Sequence, residues 1–256
     1  KKLTKAVRSL PGGQVTKQVE VGTSDEVSEL AEAFNTMVQE LKEKEMLRQN
    51  MVSDVAHELR NPISNLEGYL ESLKNGLMEP EKDVLASLHE ESLLLHELTD
   101  DLQDLAQAEA GRLDLDMQPV SLEKIIEHLI DYLQQKAEKK KISLSTDFPE
   151  RSEKVLGDPG RLTQVLRNLL KNAITHTPEN GEITVTIKNR KKYRVVEVSD
   201  SGKGIPEEDL PYVFRRFYRV DKSRSRSTGG SGLGLTIAKK IIQAHGGEIF
   251  VNSREG

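Results

Sequence analysis

The sequence predicts an α plus α/β architecture: an antiparallel helical hairpin followed by a two-layer α/β sandwich. Two observations predict it. Apolar residues recur at helical spacing through roughly the first 110 residues, and helical and alternating segments then interleave beyond Gly111. At 256 residues the chain can hold one large domain or two smaller ones, each with its own core. Charged residues make up 31% and the net charge is −5, so no global affinity for nucleic acid is expected. The chain has no cysteine, which excludes disulfides and thiolate zinc sites and fits a reducing compartment. No apolar run approaches the roughly 20 residues of a membrane helix, and no signal peptide heads the sequence.

Residues 1 to about 24 are short and mixed, with a Pro11-Gly12-Gly13 break. From about Asp25 to Asn75 the pattern is helical. Val27, Leu30, Phe34, Met37 and Leu41 form a coiled-coil seam, which fails at Lys44 and Arg48 and restarts on a shifted face near Val52. On that face Val52, Val55, Leu59, Ile63, Leu66, Leu70 and Leu73 make one stripe, and His57 falls on the opposite side, in solvent. Asn75-Gly76 and Pro80 make a turn, and a second helix runs to about Ala110. Its Val84, Leu88, Leu95, Leu98, Leu102 and Leu105 keep heptad spacing, interrupted by Glu91. Two apolar-striped arms cannot bury both stripes alone, so two hairpins pairing as a four-helix bundle, a homodimer, are expected.

Beyond Gly111, Ser121 can cap a helix through about Ala137, and "ISLST" alternates as a strand. Asp158-Pro159 opens a helix carrying Leu162, Val165, Leu166, Leu169 and Leu170. "EITVTIKNRKKYRVVEVSD" reads as a hairpin with Ile183, Val185 and Ile187 on one side and Val195 opposite. Gly232 to His245 reads as a helix and "GGEIFVNS" as a final strand.

The chemistry-bearing stretches sit at the junctions. "DSGKGIP" puts the Asp200 carboxylate at a strand end, beside Gly202 and Gly204, where a flat ligand with an exocyclic amine could approach. As a lone feature, Asp-Ser-Gly is an ordinary turn. "TGGSGLGL", from Thr228 to Leu235, opens a helix from a glycine run and leaves backbone N–H groups for phosphate, though it matches neither the P-loop nor the dinucleotide spacing. The preceding "RRFYRVDKSRSRS" is either a solvated basic loop or a lid over polyphosphate; the neighbouring helix terminus favours the lid. Asn168 and Asn172, at i and i+4, offer amide oxygens to a magnesium ion that keeps most of its waters. Polar capping near Thr177-Pro178 would account for either Asn singly.

Together "HELRNP", "NLLKNA", "DSGKGIP", "FRRFYR" and "GGSGLGL" resemble, in order and approximate spacing, the sensor histidine protein kinases of two-component systems. "SDEVSELAEAFNTMVQEL" resembles the second half of a HAMP signal-relay linker. The resemblance implies a partial HAMP linker and signalling helix over 1–45, a dimerisation and phosphoacceptor hairpin over 46–111, and an ATP-binding domain of the gyrase and chaperone type over 112–256. It implies ATP and Mg2+ as cofactors, a homodimer, a cognate response regulator as partner, and no nucleic acid. Membrane attachment would come only through an N-terminal sensor region missing here, so the chain would be the cytoplasmic portion of a cell-membrane sensor.

The resemblance also implies roles. His57 accepts the phosphoryl group, Glu58 orients its ring and takes its proton, and Asn61 orients water for removing phosphate from the regulator. Asp200 accepts from the adenine amine, His176 packs on adenine, and Asn172, helped by Asn168, holds magnesium. Gly202, Gly204, Ile205, Tyr218, Gly230, Gly232, Leu233, Gly234 and Leu235 contribute to nucleotide binding, while Arg219 reaches toward the phosphates. Thr175 stands where many relatives carry Lys or Arg, which passes one phosphate contact to Lys171 or the lid. His89, His96, His128 and His245 are expected to be surface or structural. The His-Arg-Asp and Asp-Phe-Gly elements of serine/threonine kinases are missing. An idle nucleotide-binding scaffold is disfavoured by the intact His57-Glu58 pair, and an unrelated ATPase by the hairpin that precedes the nucleotide motifs.

Overall fold

The computed structural model describes residues 26–149, 153–190, 193–220 and 231–254. The Pro11-Gly12-Gly13 break, the basic residues Lys222, Arg224 and Arg226, and Thr228 and Gly230 of the glycine run lie outside the described residues. The chain divides into two compact units, Lys1–Arg60 and Asn61–Gly256.

Helix α1 spans Glu26–Lys74 without interruption, with Pro62 inside it. In its first half Ala31, Phe34 and Val38 are buried, whereas Leu30, Met37 and Leu41 are exposed. The buried stripe is therefore rotated about one residue from the expected seam. Small Ala31, invisible to a count of large apolar residues, is part of that buried stripe. A turn follows, with Gly76 at φ +67° and Leu77 N–H donating to Ser72 O at 2.9 Å. Helix α2 spans Lys82–Glu109 and buries Leu98 and Leu105. Glu91, which breaks the apolar spacing, accepts from Asn65 Nδ2 at 2.8 Å across the hairpin. No described helix is long and apolar enough to cross a membrane.

The α/β part starts with strand β1 (Gln118–Val120) and helix α3 (Leu122–Lys139), whose Ser121 cap accepts from Lys124 N–H. Then come β2 (Ser143–Asp147), β3 (Val155–Gly157) and α4 (Pro159–His176). Strands β4 (Glu182–Asn189) and β5 (Arg194–Asp200), a 3-10 turn at Leu210–Tyr212 and helix α5 (Gly234–Ala244) complete it. The main sheet has the order β2-β4-β5, with β2 parallel to β4 and β4 antiparallel to β5. The parallel pair requires a crossover, and α4 lies within it. Ile126, Leu129 and Leu133 of α3, Leu166, Leu170 and Ile174 of α4, and Ile183, Val185 and Ile187 of β4 form one core. Each such side chain contributes about 1.5–3 kcal/mol by leaving water.

Two strand expectations change and one sheet is unforeseen. The three-residue strands β1 and β3 pair with each other in a separate antiparallel sheet. The β4–β5 register places Val196 against Ile187 and Val198 against Val185, while exposed Val195 meets Lys188. A one-residue shift exchanges the two faces of a strand, so Val196 and Val198, not Val195, lean on the core. The "GGEIFVNS" stretch forms no strand among the described residues; Phe250 is exposed there, and Ser253 Oγ instead accepts from Ile205 N–H at 2.9 Å.

Candidate functional site

Helix α4 is the base of the site, and both of its ends are fixed by polar groups. At its start the Asp158 carboxylate accepts from Arg161 N–H and from Asp116 N–H, each at 3.0 Å. At its end Lys140 Nζ donates to Ile174 O at 2.9 Å and Thr175 O at 3.0 Å, satisfying carbonyls a helix C-terminus leaves open. Thr175 turns its hydroxyl back to Lys171 O at 2.7 Å. Sequence reasoning gave Lys140 no role; it is one of several lysines at the end of α3, and only the fold selects it.

Strand β5 delivers Asp200 beside the end of α4. Asp200 Oδ1 accepts from Gly202 N–H at 2.9 Å, and this bond fixes the carboxylate. A Cβ on Gly202 would stand 2.5 Å from Asp200 Oδ1 and 3.0 Å from His176 O, so only glycine fits. Asp200, Gly202 and His176 therefore meet at one point. Asp200 is exposed, and its second oxygen is free to accept. Loss of hydration around the His176 ring, then the charge of Lys203, push its pKa below the ordinary value; Asp200 opposes them. These influences favour the neutral imidazole.

One turn earlier on the same helix, Asn172 is exposed and its amide has no hydrogen-bond partner among the described residues. Asn168 is half-buried, and its Nδ2 donates to Gly234 O at 3.2 Å, tying α4 to the head of α5 and leaving its oxygen unused. No group of three or more His, Cys, Asp or Glu among the described residues could hold a metal. The amide oxygens of Asn168 and Asn172 are hard donors of a kind magnesium accepts and most transition metals do not favour.

The head of α5 is shaped by a backbone contact. Phe217 N–H donates to Gly232 O at 3.0 Å, with Phe217 at φ +56° and Gly232 at φ +70°. A Cβ on Gly232 would lie 2.9 Å from Phe217 Cα. Leu233 is fully buried, and Thr236 Oγ1 donates to Phe214 O at 3.0 Å. Gly234 and Leu235 begin the helix, where first-turn N–H groups lack intrahelical acceptors. Tyr218 does not point its hydroxyl into open solvent: it donates to Asp209, which pushes its pKa up to about 12. Its ring lies 5.7 Å from Tyr212, over which the Arg215 guanidinium sits at 4.3 Å. Arg219 is half-buried and close enough for its charge to be felt at His176. Gly204 takes φ +73°, and Ile205 is held by Ser253.

Helix α2 contributes an acidic face to the same surface, which sequence reasoning missed. Glu97 pairs with Lys171, Asp104 with Arg161 and Gln164, and Glu109 with Arg216 at 2.8 Å. Asp101 accepts from Ser231 Oγ at 2.9 Å, and Ser231 Oγ accepts from Leu233 N–H at 3.2 Å. Burial, then the Glu97 and Asp104 charges, push the Asp101 carboxyl up against the opposing Ser231 bond. Lys171, expected toward phosphate, is here committed to Glu97.

On α1, His57 is exposed, as its place opposite the apolar stripe predicts, and Glu58 is half-buried; no hydrogen bond joins them. Asn61 is exposed. His89, His96 and His128 are exposed surface residues, with His96 3.6 Å from Asp100. His245 is structural: its Nε2 accepts from Asp158 N–H at 3.0 Å.

Residues 47–111 match the family described as His Kinase A (phospho-acceptor) domain. Residues 157–256 match the Histidine kinase-, DNA gyrase B-, and HSP90-like ATPase family, and residues 1–43 the HAMP domain. The chain belongs to the sensor histidine kinases. This histidine kinase chain is 33% identical over 250 residues to the signal transduction histidine-protein kinase BaeS of Escherichia coli, covering 98% of the chain and 53% of BaeS. It is 36% identical over 244 residues to the sensor histidine kinase YkoH of Bacillus subtilis, covering 94% of the chain and 52% of YkoH. It thus spans about half the length of these relatives. Among solved structures it resembles the Acinetobacter baumannii histidine kinase AdeS, with TM-score 0.63, 28% identity and coverage of 73% of this chain and 86% of that one. It also resembles the histidine kinase ThkA in its complex with the response regulator protein TrrA, with TM-score 0.67, 28% identity and coverage of 90% and 65%.

Proposed function

We propose that this chain transfers the γ-phosphoryl group of ATP to His57 and then to an aspartate of a cognate response regulator. The observation that carries this reading is the meeting of Asp200, Gly202 and His176 at one end of α4, one turn from the uncommitted amide of Asn172. An adenine amine can donate to the free Asp200 oxygen, and a neutral His176 ring can pack on the base without adding charge. The first turn of α5 offers N–H groups to phosphates. The family matches and the ThkA–TrrA complex support ATP use and a regulator partner.

The chemistry asks little of covalent catalysis and much of positioning. A neutral His57 nitrogen attacks the γ-phosphorus, the bond to the ADP oxygen breaks, and the imidazole proton passes to Glu58. Asn172, with the Asn168 oxygen behind it, would hold magnesium, which when bound neutralises phosphate charge. His57 is exposed, as a nucleophile that must meet both ATP and a partner protein requires. Domain limits of 1–45, 46–111 and 112–256 fit this division. The exposed apolar residues Leu70, Leu85 and Leu93 fit a homodimer built through the hairpin. The HAMP match and the likeness to BaeS support a membrane sensor of which this is the cytoplasmic portion.

Incubation with labelled ATP and magnesium should give acid-labile label on wild type and none on His57→Gln, with ADP binding unchanged. Label persisting in that variant, or mapping to His89 or His96, overturns the assignment. Exposed Asn61 is proposed to orient water for regulator dephosphorylation, so in the same assay Asn61→Ala should keep autophosphorylation and slow loss of phosphate from the regulator. Parallel loss of both activities would show that one residue serves both.

A further inference from the structure

Three acidic residues of α2, Glu97, Asp101 and Asp104, fall at intervals of four and three, so they share one face of the helix. Each engages a residue of the nucleotide-binding part. Glu97 holds Lys171, the residue beside Asn172, and Asp104 holds Arg161 and Gln164 near the start of α4. Asp101 accepts from Ser231, whose oxygen in turn caps the N–H of Leu233 at the head of α5. A carboxylate is thus already seated beside the N-terminus of α5, where the helix dipole favours negative charge. Asp101 occupies the position of an anion.

We propose that the acidic face of α2 and the phosphates of a bound nucleotide compete for one surface, so that docking of this domain on α2 and nucleotide binding oppose each other. This rests on the nucleotide reading of the site given above. Polyphosphate brought to Asn172 and the first turn of α5 would stand next to Glu97 and Asp101, and like charges in a half-buried site repel. Lys171, a candidate phosphate contact, is given by the docked arrangement to Glu97, and Ser231 beside the head of α5 is given to Asp101. In the docked arrangement the chain's own carboxylates balance the charges of Lys171 and Arg161. A nucleotide has to replace them, and its apparent affinity is reduced by the fraction of molecules that are docked.

The test compares the 256-residue chain with a Glu97→Gln/Asp101→Asn/Asp104→Asn variant, which keeps side-chain size and removes the charge. Calorimetry with ADP and magnesium should show the variant binding about three- to tenfold more tightly, given the modest worth of each partly exposed pair. Because the chain has no cysteine, spin labels can be placed at Glu90→Cys on α2 and Tyr132→Cys on α3, both exposed. In label-diluted samples their distance distribution should shift on adding saturating ADP and magnesium, and should already be shifted in the charge-free variant. Equal or weaker ADP binding by the variant overturns the proposal. So does a distance distribution that ADP leaves unchanged. Absence of ADP binding in both proteins overturns the nucleotide reading and this proposal with it, whereas equal binding in both overturns this proposal alone.

Discussion

The hairpin and the α/β sandwich use the same apolar residues to different ends. In the sandwich Ile126 and Ile183 are 0% exposed and Leu170 is 1%, so the domain buries its core within one chain. In the hairpin Leu70 is 56% exposed, and Leu85 and Leu93 are each 52%. A single pair of helices has too little surface to cover both stripes, whereas a sheet with two helices against it encloses its core on its own. One region is completed by folding and the other, in the proposed dimer, by a second copy. The difference separates stability from assembly: damage to the sandwich should unfold it at any concentration, and damage to the exposed apolar residues of the hairpin, which on α2 lie beside the stripe, should act through self-association.

The largest effect expected from that contrast is on Leu170. Leu170→Ala should cost about 2–5 kcal/mol in denaturant unfolding of the sandwich, as a core cavity does. Leu85→Ala should leave that transition nearly in place while shifting the sedimentation equilibrium toward monomer. Equal loss of sandwich stability in both variants would remove the distinction. A smaller effect divides the site itself. Asp200→Asn should weaken ATP binding about tenfold or more with little effect on GTP, about 1.4 kcal/mol by the affinity scale. Asn172→Asp should instead damage magnesium-dependent binding, since it exchanges a neutral oxygen donor for a charge beside phosphate. Calorimetry with both nucleotides, with and without magnesium, resolves the two, and identical losses in all conditions would mean that both simply disturb the end of α4.

The smallest effect sharpens how α4 is held. Asp158→Ala removes a cap and should cost about 1 kcal/mol at neutral pH. Burial pushes the Asp158 carboxyl up, but the N–H groups of Arg161, Asp116 and Gly160 outweigh it and hold the pKa below the usual range. A depressed carboxyl contributes its full stability above its unfolded value, near 3.9, and loses it as pH falls through the lower folded value. The gap between wild type and Asp158→Ala should therefore close below about pH 4. A gap that is unchanged at pH 3 would mean that the carboxylate charge is not what holds the helix.

Legibility in the sequence followed element length and locality. Long periodic segments were plain in extent: α1, α2, α3 and α4 all lie where their apolar spacing puts them, although the buried face of the first half of α1 differs from the expected seam. The three-residue strands β1 and β3 are too short to show alternation at all. Val195 was misplaced because "RVVEV" offers two faces by pattern alone, and only the pairing with β4 chooses between them. At the site, Asp200 and Gly202 are two residues apart and a local turn joins them, whereas the expectation for His176 came only from the family resemblance. The commitments of Lys171, Ser231 and Lys140 were invisible, since each partner lies more than 30 residues away in sequence.

His245 links the last turn of α5 to the first turn of α4. Its Nε2 accepts from Asp158 N–H at 3.0 Å, so the proton sits on Nδ1, which donates to Ile241 O at 2.8 Å. Both nitrogens are committed in opposite directions, and the ring cannot rotate without breaking a bond. In mechanical terms it is a strut with fixed ends: a displacement at the tail of α5 reaches the start of α4 through five atoms of a rigid ring instead of being absorbed by a side chain changing rotamer. An asparagine or glutamine amide could fill one of those roles but not hold both ends at the same reach, which makes this histidine a component of the domain's stiffness.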